Sequence, residues 1–159
     1  MAIDRIGGPT ALVLTRQAVP VLDRSGCDGM VGRGGYVLRP GSDAVLVATG
    51  SEVAVALGAA DLLGEAGVSL QVVSLPCWEA FFAEDPSYRE EVLGSGLPVA
   101  SLEAGTTFGW ERIVGSNGLS IGIDRFGASA PGETVQEQLG LTPARVADAV
   151  REAVRRATR

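Results

Sequence analysis

Apolar runs of strand length alternate with helical patterns along most of this sequence. DAVLVA, at residues 43–48, is continuously apolar, which is typical of a strand buried on both faces. Three further strands are predicted at 68–74, 98–102 and 119–123, and a short edge strand at 36–38. This alternation from residue 43 onwards predicts an α/β fold, with an open, mostly parallel twisted sheet and helices on both faces.

Helical patterns lie between and after these strands. The longest begins after TGSE, where apolar residues recur at i, i+3, i+4 and i+7. Ser51 is its predicted N-cap and Gly67 its stop. Short helices are expected at 86–93 and 110–114, and a closing helix is expected to start at Pro143 after a Thr142 cap. The valines of this last helix form one stripe, at Val146, Val150 and Val154.

An earlier apolar run, GPTALVLTRQ at residues 8–17, predicts a strand that ends near an arginine. A guanidinium is a planar fork that pairs with phosphate or carboxylate, so Arg16 is a candidate anion-binding residue. A surface salt bridge is the plainer alternative. The glycine-rich stretch 32–42 follows, and we interpret it as a linker into a new domain.

Composition excludes several kinds of chemistry. The 159 residues carry a net charge of −6, which argues against a nucleic-acid binder, and no apolar run is long enough to span a bilayer. Histidine and lysine are both absent, so a Ser-His-Asp triad, histidine zinc sites, a Schiff base and a Walker-type phosphate loop are excluded. Cys27 and Cys77 are predicted to be free thiols, and the expected location is the cytoplasm.

Four features have both a functional and a structural interpretation, and we favour the structural one for each. ATGSEV (48–53) joins a strand to a helix N-terminus and is either an anion site or a capped turn. Glu103 and Asp124 follow strands and form either a carboxylate pair or loop hydrogen bonds. Cys77 lacks a histidine base, which makes it structural. The aromatic residues near loops are more often core or interface than a stacking floor, namely Trp78, Phe81, Phe82, Phe108 and Trp110.

Seven blocks together resemble the transketolase family. They are GPTALVLTRQ (8–17), RGGYVL (33–38), VLVATGSEV (45–53), VVSLPC (72–77), SLEAG (101–105), VGSNG (114–118) and FGASAP (126–131). The resemblance implies that 1–31 is the end of the pyrimidine-binding domain, 32–42 a linker and 43–159 the C-terminal domain. It also implies a role for Arg16 in binding the phosphate of a sugar substrate.

The activity that this resemblance implies is the transfer of a two-carbon ketol unit between sugar phosphates. It would require thiamine diphosphate and Mg²⁺ (or Ca²⁺), both held by an N-terminal subunit or by domains outside this chain, in a dimeric assembly. No catalytic, cofactor-binding or metal-binding residue is assigned to the chain itself, which is expected to be inactive alone. A natural split subunit, a truncated segment and a proteolytic remnant all stay open.

Three alternatives to this function also stay open. The first is a non-catalytic module that senses an anion or a nucleotide at the TGSE turn. The second is a pure assembly domain that docks a partner. The third is a component like deoxyxylulose-phosphate synthase or the β chain of a 2-oxo acid dehydrogenase. The wording TRQ, SEV and FGASAP favours transketolase over this third alternative.

Overall fold

A five-stranded sheet forms the centre of the molecule, in a computed structural model that describes residues 2–27 and 29–157. The strands are β1 (Tyr36–Arg39), β2 (Ala44–Ala48), β3 (Leu70–Ser74), β4 (Val99–Leu102) and β5 (Leu119–Ile121). Their order across the sheet is β1-β3-β2-β4-β5. β1 is antiparallel to β3 and every other neighbouring pair is parallel, so the predicted, mostly parallel sheet is confirmed.

Six α-helices lie among the described residues, besides a short 3-10 helix at Met30–Arg33. They are α1 (Glu52–Glu65), α2 (Trp78–Ala83), α3 (Pro86–Leu93), α4 (Glu111–Val114), α5 (Gly132–Leu139) and α6 (Pro143–Ala157). Four of them were expected from the sequence, whereas α2 and α5 were not. None of the helices in the described part of the chain is long and apolar enough to cross a membrane.

The helices cover both faces of the sheet, as predicted. The five residues of β2 are all buried, as expected for a strand covered on both faces. α1 and α6 pack on one face, where Leu46 and Leu102 meet Leu63 and Val146. α2, α3 and α4 pack on the other face around Phe81. Because neighbouring strand residues point to opposite faces, the continuous apolar run of β2 contributes to both halves of the core.

The strand predicted within residues 8–17 is not formed. Residues 9–15 have no regular secondary structure, and Leu12, Val13 and Leu14 are 72%, 95% and 82% exposed. A strand needs a neighbour to satisfy its backbone hydrogen bonds, and none of the described strands pairs with this stretch. An apolar run of this kind indicates a strand only where other strands are present to bury it.

The ends of the two long helices differ in how they are capped. The Thr142 hydroxyl accepts a hydrogen bond from the Arg145 amide at 3.4 Å, as predicted for α6. Ser51 stands at the N-cap position of α1 but makes no capping bond, because its backbone is helical (φ −67°, ψ −25°) rather than extended. Its hydroxyl turns to the neighbouring Glu52 instead. Past the end of α1, Gly67 adopts a positive φ of 78°, which suits a helix stop.

Candidate functional site

The carboxyl ends of β2 and β4 lie side by side where the connections of the sheet change direction. From β2 the chain passes through α1 to β3 on one side, and it later reaches β4 on the other side. Open α/β sheets bind ligands at such a switch point. The turn at 49–51 follows β2 and Glu103 follows β4, so this crevice is the first place where an anion site is expected.

Carboxylates occupy this crevice. The Thr49 hydroxyl donates a hydrogen bond to Oε2 of Glu103, which joins the loops after β2 and β4. The Ser51 hydroxyl donates to Oε1 of the buried Glu52 at 2.7 Å. A phosphate at the start of α1 would meet the Glu103 carboxylate, because that group already lies against the turn. The structural interpretation of the ATGSEV turn and of Glu103 is therefore the one that the geometry supports.

Asp124 fastens two other loops at the same edge of the sheet. Its carboxylate accepts hydrogen bonds from the Thr107 amide at 2.8 Å, the Thr107 hydroxyl at 2.7 Å and the Thr106 hydroxyl at 3.0 Å. The backbone amide of Thr107, followed by the two threonine hydroxyls, holds the pKa of Asp124 below its ordinary value. These bonds engage Asp124 in loop structure, as predicted, and leave it without the raised pKa that a catalytic acid needs.

Backbone contacts hold the same two loops together next to Asp124. The Ile123 amide donates to the Gly105 carbonyl at 2.6 Å, and the Glu103 amide donates to the Ile121 carbonyl at 3.1 Å. Gly122 lies so close to the first loop that a Cβ atom there would stand 2.7 Å from the Gly105 carbonyl oxygen. Only a glycine fits at this point, so the path of the loop after β5 is fixed.

The aromatic residues separate into a buried group and an exposed pair. Trp78 packs edge-on against Trp110, with ring centroids 4.8 Å apart, and Phe81 is fully buried beside them. Phe81 and Trp110 are buried core residues and Trp78 packs half-buried against them, which agrees with the structural interpretation for this group. Phe108 and Phe126 are different, because they are 88% and 99% exposed on the loops that Asp124 joins.

The two cysteines have structural surroundings. Both are free thiols, with Cys27 buried and Cys77 half-buried. The Cys77 sulfur lies 3.6 Å from Oε2 of Glu79, and the Cys27 sulfur lies 3.5 Å from the Val37 carbonyl. The sequence contains no histidine, so Cys77 lacks the usual base that would activate a cysteine nucleophile. The expectation that Cys77 is structural is therefore supported.

Arg16 makes no hydrogen bond or ion pair with these loops in the part of the chain that the structure describes. It is exposed. Its flanking apolar residues are exposed as well. The structure therefore does not bring Arg16 together with Glu103 or Asp124, and its proposed role in phosphate binding stays a prediction.

A groove of about 970 Å³ lies at the opposite edge of the sheet. The amino ends of β2, β4 and β5 and the last two turns of α6 line it, and its polar residues are Ser42, Asp43, Asn117, Glu152 and Arg156. Groups of three or more His, Cys, Asp or Glu side chains suited to a metal ion do not occur among residues 2–27 and 29–157. The sequence analysis did not predict this groove, because the residues that line it come together only in the folded sheet.

This chain is similar to transketolases. A family model for the transketolase-like TK C-terminal domain matches residues 34–142. The transketolase encoded on a plasmid of Cupriavidus necator is 51% identical over 153 residues, which are 94% of this chain and 23% of that protein. The chain thus spans about a quarter of the length of the curated relatives that it matches.

Solved structures support the same assignment. Transketolase from Leishmania mexicana superposes with a TM-score of 0.80 at 38% identity, covering 89% of this chain and 21% of that one. A split-gene transketolase, described as an inactive β4 tetramer, has the same fold, with a TM-score of 0.69 and 24% identity over 87% of this chain and 48% of that one. With residues 34–142 matching the family model, this chain belongs to the transketolase family and contains its C-terminal domain.

Proposed function

We propose that this chain is the C-terminal component of a thiamine-diphosphate-dependent transketolase. The assembled enzyme transfers a two-carbon ketol unit between sugar phosphates, and the chain alone is inactive. One observation carries the proposal: identity to a transketolase is 51% along 94% of the chain, yet this match covers only 23% of that enzyme. The remaining parts, on the same or on another polypeptide, would complete a dimeric assembly.

The described residues of this chain do not fit thiamine diphosphate or its metal ion. A diphosphate at the start of α1 would meet the carboxylate of Glu103, which Thr49 already holds in place. The described residues also lack a cluster of carboxylate, cysteine or histidine side chains that could hold Mg²⁺ or Ca²⁺. In our proposal the cofactor and the metal are held by the other domains, and we assign no step of the reaction to a group bound here.

We also propose a division of the chain into domains, which gives the chain a structural rather than a catalytic role. In our proposal residues 1–31 complete the pyrimidine-binding domain, 32–42 link the domains and 43–159 form the C-terminal domain. The exposed run Leu12–Leu14 has the composition of a strand buried on both faces, and it lacks neighbouring strands within the described sheet. A sheet built by the rest of a transketolase would supply those neighbours.

Arg16 is the one residue of the chain that we propose to contact substrate. Replacing it with alanine in the assembled enzyme should raise KM for phosphorylated sugars roughly tenfold or more with kcat little changed, since a hydrogen bond to a charged group contributes about 1.5–3 kcal/mol. Arg24, an exposed arginine of the same segment, provides the matched control, and Arg24→Ala should leave KM unchanged. Equal KM values for Arg16→Ala and the unsubstituted enzyme would contradict the proposed contact.

A chimera tests the proposed function directly. In the plasmid transketolase of C. necator, this chain replaces the 153 residues that match it. We expect ketol transfer with a kcat/KM within about tenfold of the unaltered enzyme, a difference of about 1.4 kcal/mol in transition-state stabilisation. A folded, cofactor-loaded chimera without transferase activity would contradict the proposal.

The alternative functions are less well supported. A sensor of nucleotides at the TGSE turn would have to place a phosphate beside Glu103, against charge repulsion. A component like deoxyxylulose-phosphate synthase or the β chain of a 2-oxo acid dehydrogenase is not favoured, since the relatives and structures reported above are named as transketolases. A pure assembly domain would not use Arg16 to bind substrate. The KM measurement on Arg16→Ala therefore distinguishes it from our proposal.

A further inference from the structure

The turn between α4 and β5 contains the pair Asn117–Gly118. Asn117 is the single asparagine of the sequence. It is exposed, and its side chain forms no hydrogen bond in the part of the chain that the structure describes. An asparagine in a turn commonly bonds a nearby backbone group through its carboxamide. Here the carboxamide is solvated instead, so its carbon atom Cγ is accessible to a nucleophile.

Glycine is required at the second position of this pair. A Cβ atom on Gly118 would stand 2.2 Å from the Val114 carbonyl oxygen and 2.4 Å from the Val114 Cβ, so a larger residue does not fit against α4. Because glycine has no side chain, its backbone nitrogen approaches the preceding carboxamide with the least steric hindrance. The packing of the turn therefore keeps the most reactive neighbour beside Asn117.

The backbone amide of Gly118 is weakly held. It donates to the Gly115 carbonyl at 3.4 Å, which is longer than the usual range of about 2.7–3.2 Å. Gly115 and Ser116 are exposed, so water and hydroxide reach the turn. An exposed turn closed by one long hydrogen bond opens at a low free-energy cost. Opening allows the rotation that brings the Gly118 nitrogen to Cγ of Asn117.

We propose that Asn117 is a site of spontaneous deamidation through a cyclic imide. The Gly118 nitrogen loses its proton to hydroxide and attacks Cγ of Asn117. The bond from Cγ to Nδ2 breaks, and ammonia leaves with a proton taken from water. Water then opens the ring. Cleavage of the new bond to Cγ leaves aspartate, whereas cleavage of the original peptide bond leaves isoaspartate, whose backbone passes through Cγ.

This modification is independent of the activity proposed above, since water is the only co-reactant. Either product adds one negative charge to a chain whose net charge is already −6. The new carboxylate would lie at the groove that Asp43 and Glu152 also line. The two products differ in the backbone, because isoaspartate lengthens it by one carbon atom.

The longer backbone of isoaspartate would act on β5. This edge strand has three residues and begins at Leu119, which pairs with Ala100 of β4. Only Gly118 separates Asn117 from the strand, and Gly118 lies tightly against α4. The turn therefore has no room for the added atom, and we expect β5 to be displaced from β4.

Mass spectrometry of the intact chain tests the modification. The folded chain is kept at mildly alkaline pH beside a synthetic peptide of residues 113–125, the segment that trypsin releases around Asn117. We expect the chain to gain the mass of an amide-to-acid conversion at a rate within about tenfold of the peptide, which equals about 1.4 kcal/mol in activation free energy. Tryptic digestion should locate the change in 113–125 and identify isoaspartate there.

Asn117→Gln is the matched control for this measurement. Its longer side chain would have to close a less favourable six-membered ring, so the variant should keep its mass over the same period. A folded chain that converts at less than about a tenth of the rate of the peptide would overturn the proposal, because the turn would then protect Asn117. An equal mass gain in Asn117→Gln would also overturn it, since the reacting amide would lie elsewhere.

Hydrogen exchange tests the expected displacement of β5. Amides of 119–121 should exchange at least about tenfold faster in the chain that carries isoaspartate than in the unmodified chain, while those of β2 and β3 stay unchanged. Asn117→Asp, which adds the charge without the extra backbone atom, should leave exchange in β5 little changed. Equal exchange in the isoaspartate and unmodified chains would contradict the displacement.

Discussion

Tyr88 shows how one side chain ties the first strand to the helices over it. It is buried, and its hydroxyl donates to the Gly35 carbonyl at 2.8 Å. The Arg33 guanidinium stacks on its ring, 3.2 Å from the centroid, and forms an ion pair with Glu84. Burial raises the pKa of the Tyr88 phenol, and the positive charge of Arg33 opposes this rise.

Replacing this hydroxyl gives a prediction for stability and its pH dependence. Tyr88→Phe should lower the free energy of unfolding by about 1 kcal/mol at neutral pH, because the Gly35 carbonyl loses its partner. The folded-state pKa is raised, so this contribution is present below the ordinary pKa of 10.0 and is lost as the pH rises through the folded-state value. Denaturant unfolding between pH 7 and pH 11 measures the difference.

Tyr36 provides the matched control. It is also buried, but its hydroxyl makes none of the hydrogen bonds found among the described residues. Tyr36→Phe should therefore change the free energy of unfolding by less than about 0.5 kcal/mol. Equal losses for the two variants would show that the Tyr88 hydroxyl contributes nothing specific.

At the scale of elements, burial decides which aromatic residues support the core. Phe81 of α2 is fully buried, whereas Phe108, on a loop, is 88% exposed. Phe81→Ala should lower the free energy of unfolding by about 3–5 kcal/mol, the usual cost of an emptied aromatic site. Phe108→Ala in the isolated chain should cost less than about 0.5 kcal/mol. Chemical denaturation of both variants measures this contrast, and similar losses would contradict the packing described for α2.

The loops after β4 and β5 should respond to acid through Asp124. Hydrogen bonds lower its folded-state pKa, so its contribution to stability is present above the ordinary value of 3.8 and is lost as the pH falls below 3.8 through the folded-state value. Asp124→Asn should therefore lower the Tm at pH 7 and have no effect at the acid end of a titration. Asp148→Asn, which changes an exposed carboxylate on α6, is the control and should change the Tm little. A Tm deficit of Asp124→Asn that persists at the acid end would contradict the hydrogen-bonded role.

The elements that the sequence predicted are those whose signal is local. A continuous apolar run specified β2, and the i, i+3, i+4 spacing specified α1. The same spacing was present in α2, at Trp78, Phe81 and Phe82, but these residues were interpreted only as an aromatic cluster. α5 carries only Val135 and Leu139 at i, i+4 spacing and buries neither fully, so its apolar pattern was too short to indicate a helix, although Gly140 marks its end with a positive φ of 81°.

What the sequence could not predict depends on residues far apart in the chain. The bond between Thr49 and Glu103 follows from β2 and β4 being neighbours, and that arrangement is a property of the strand order. The contact of Asp124 with Thr107 arises in the same way from β4 and β5. The strand predicted within residues 8–17 failed for the reverse reason. Its apolar run has the local pattern of a strand, but none of the described strands pairs with it.

At the scale of the whole molecule, the chain combines a self-sufficient core with surfaces that lack a partner. Both faces of the sheet are covered, and buried residues of two clusters fill the space between sheet and helices. Leu12, Val13 and Leu14 are exposed, and so are Phe108 and Phe126. This combination fits our proposal that the domain performs its function within a larger enzyme.

A ketol-transfer assay of the purified chain tests this account most directly. The chain is supplied with thiamine diphosphate, Mg²⁺, a ketose phosphate donor and an aldose phosphate acceptor, alongside the chimera under the same conditions. We predict transfer by the chimera and none by the chain alone, because Glu103 occupies the only switch-point crevice of the described sheet. Transfer by the chain alone, at a rate proportional to its concentration, would contradict the account.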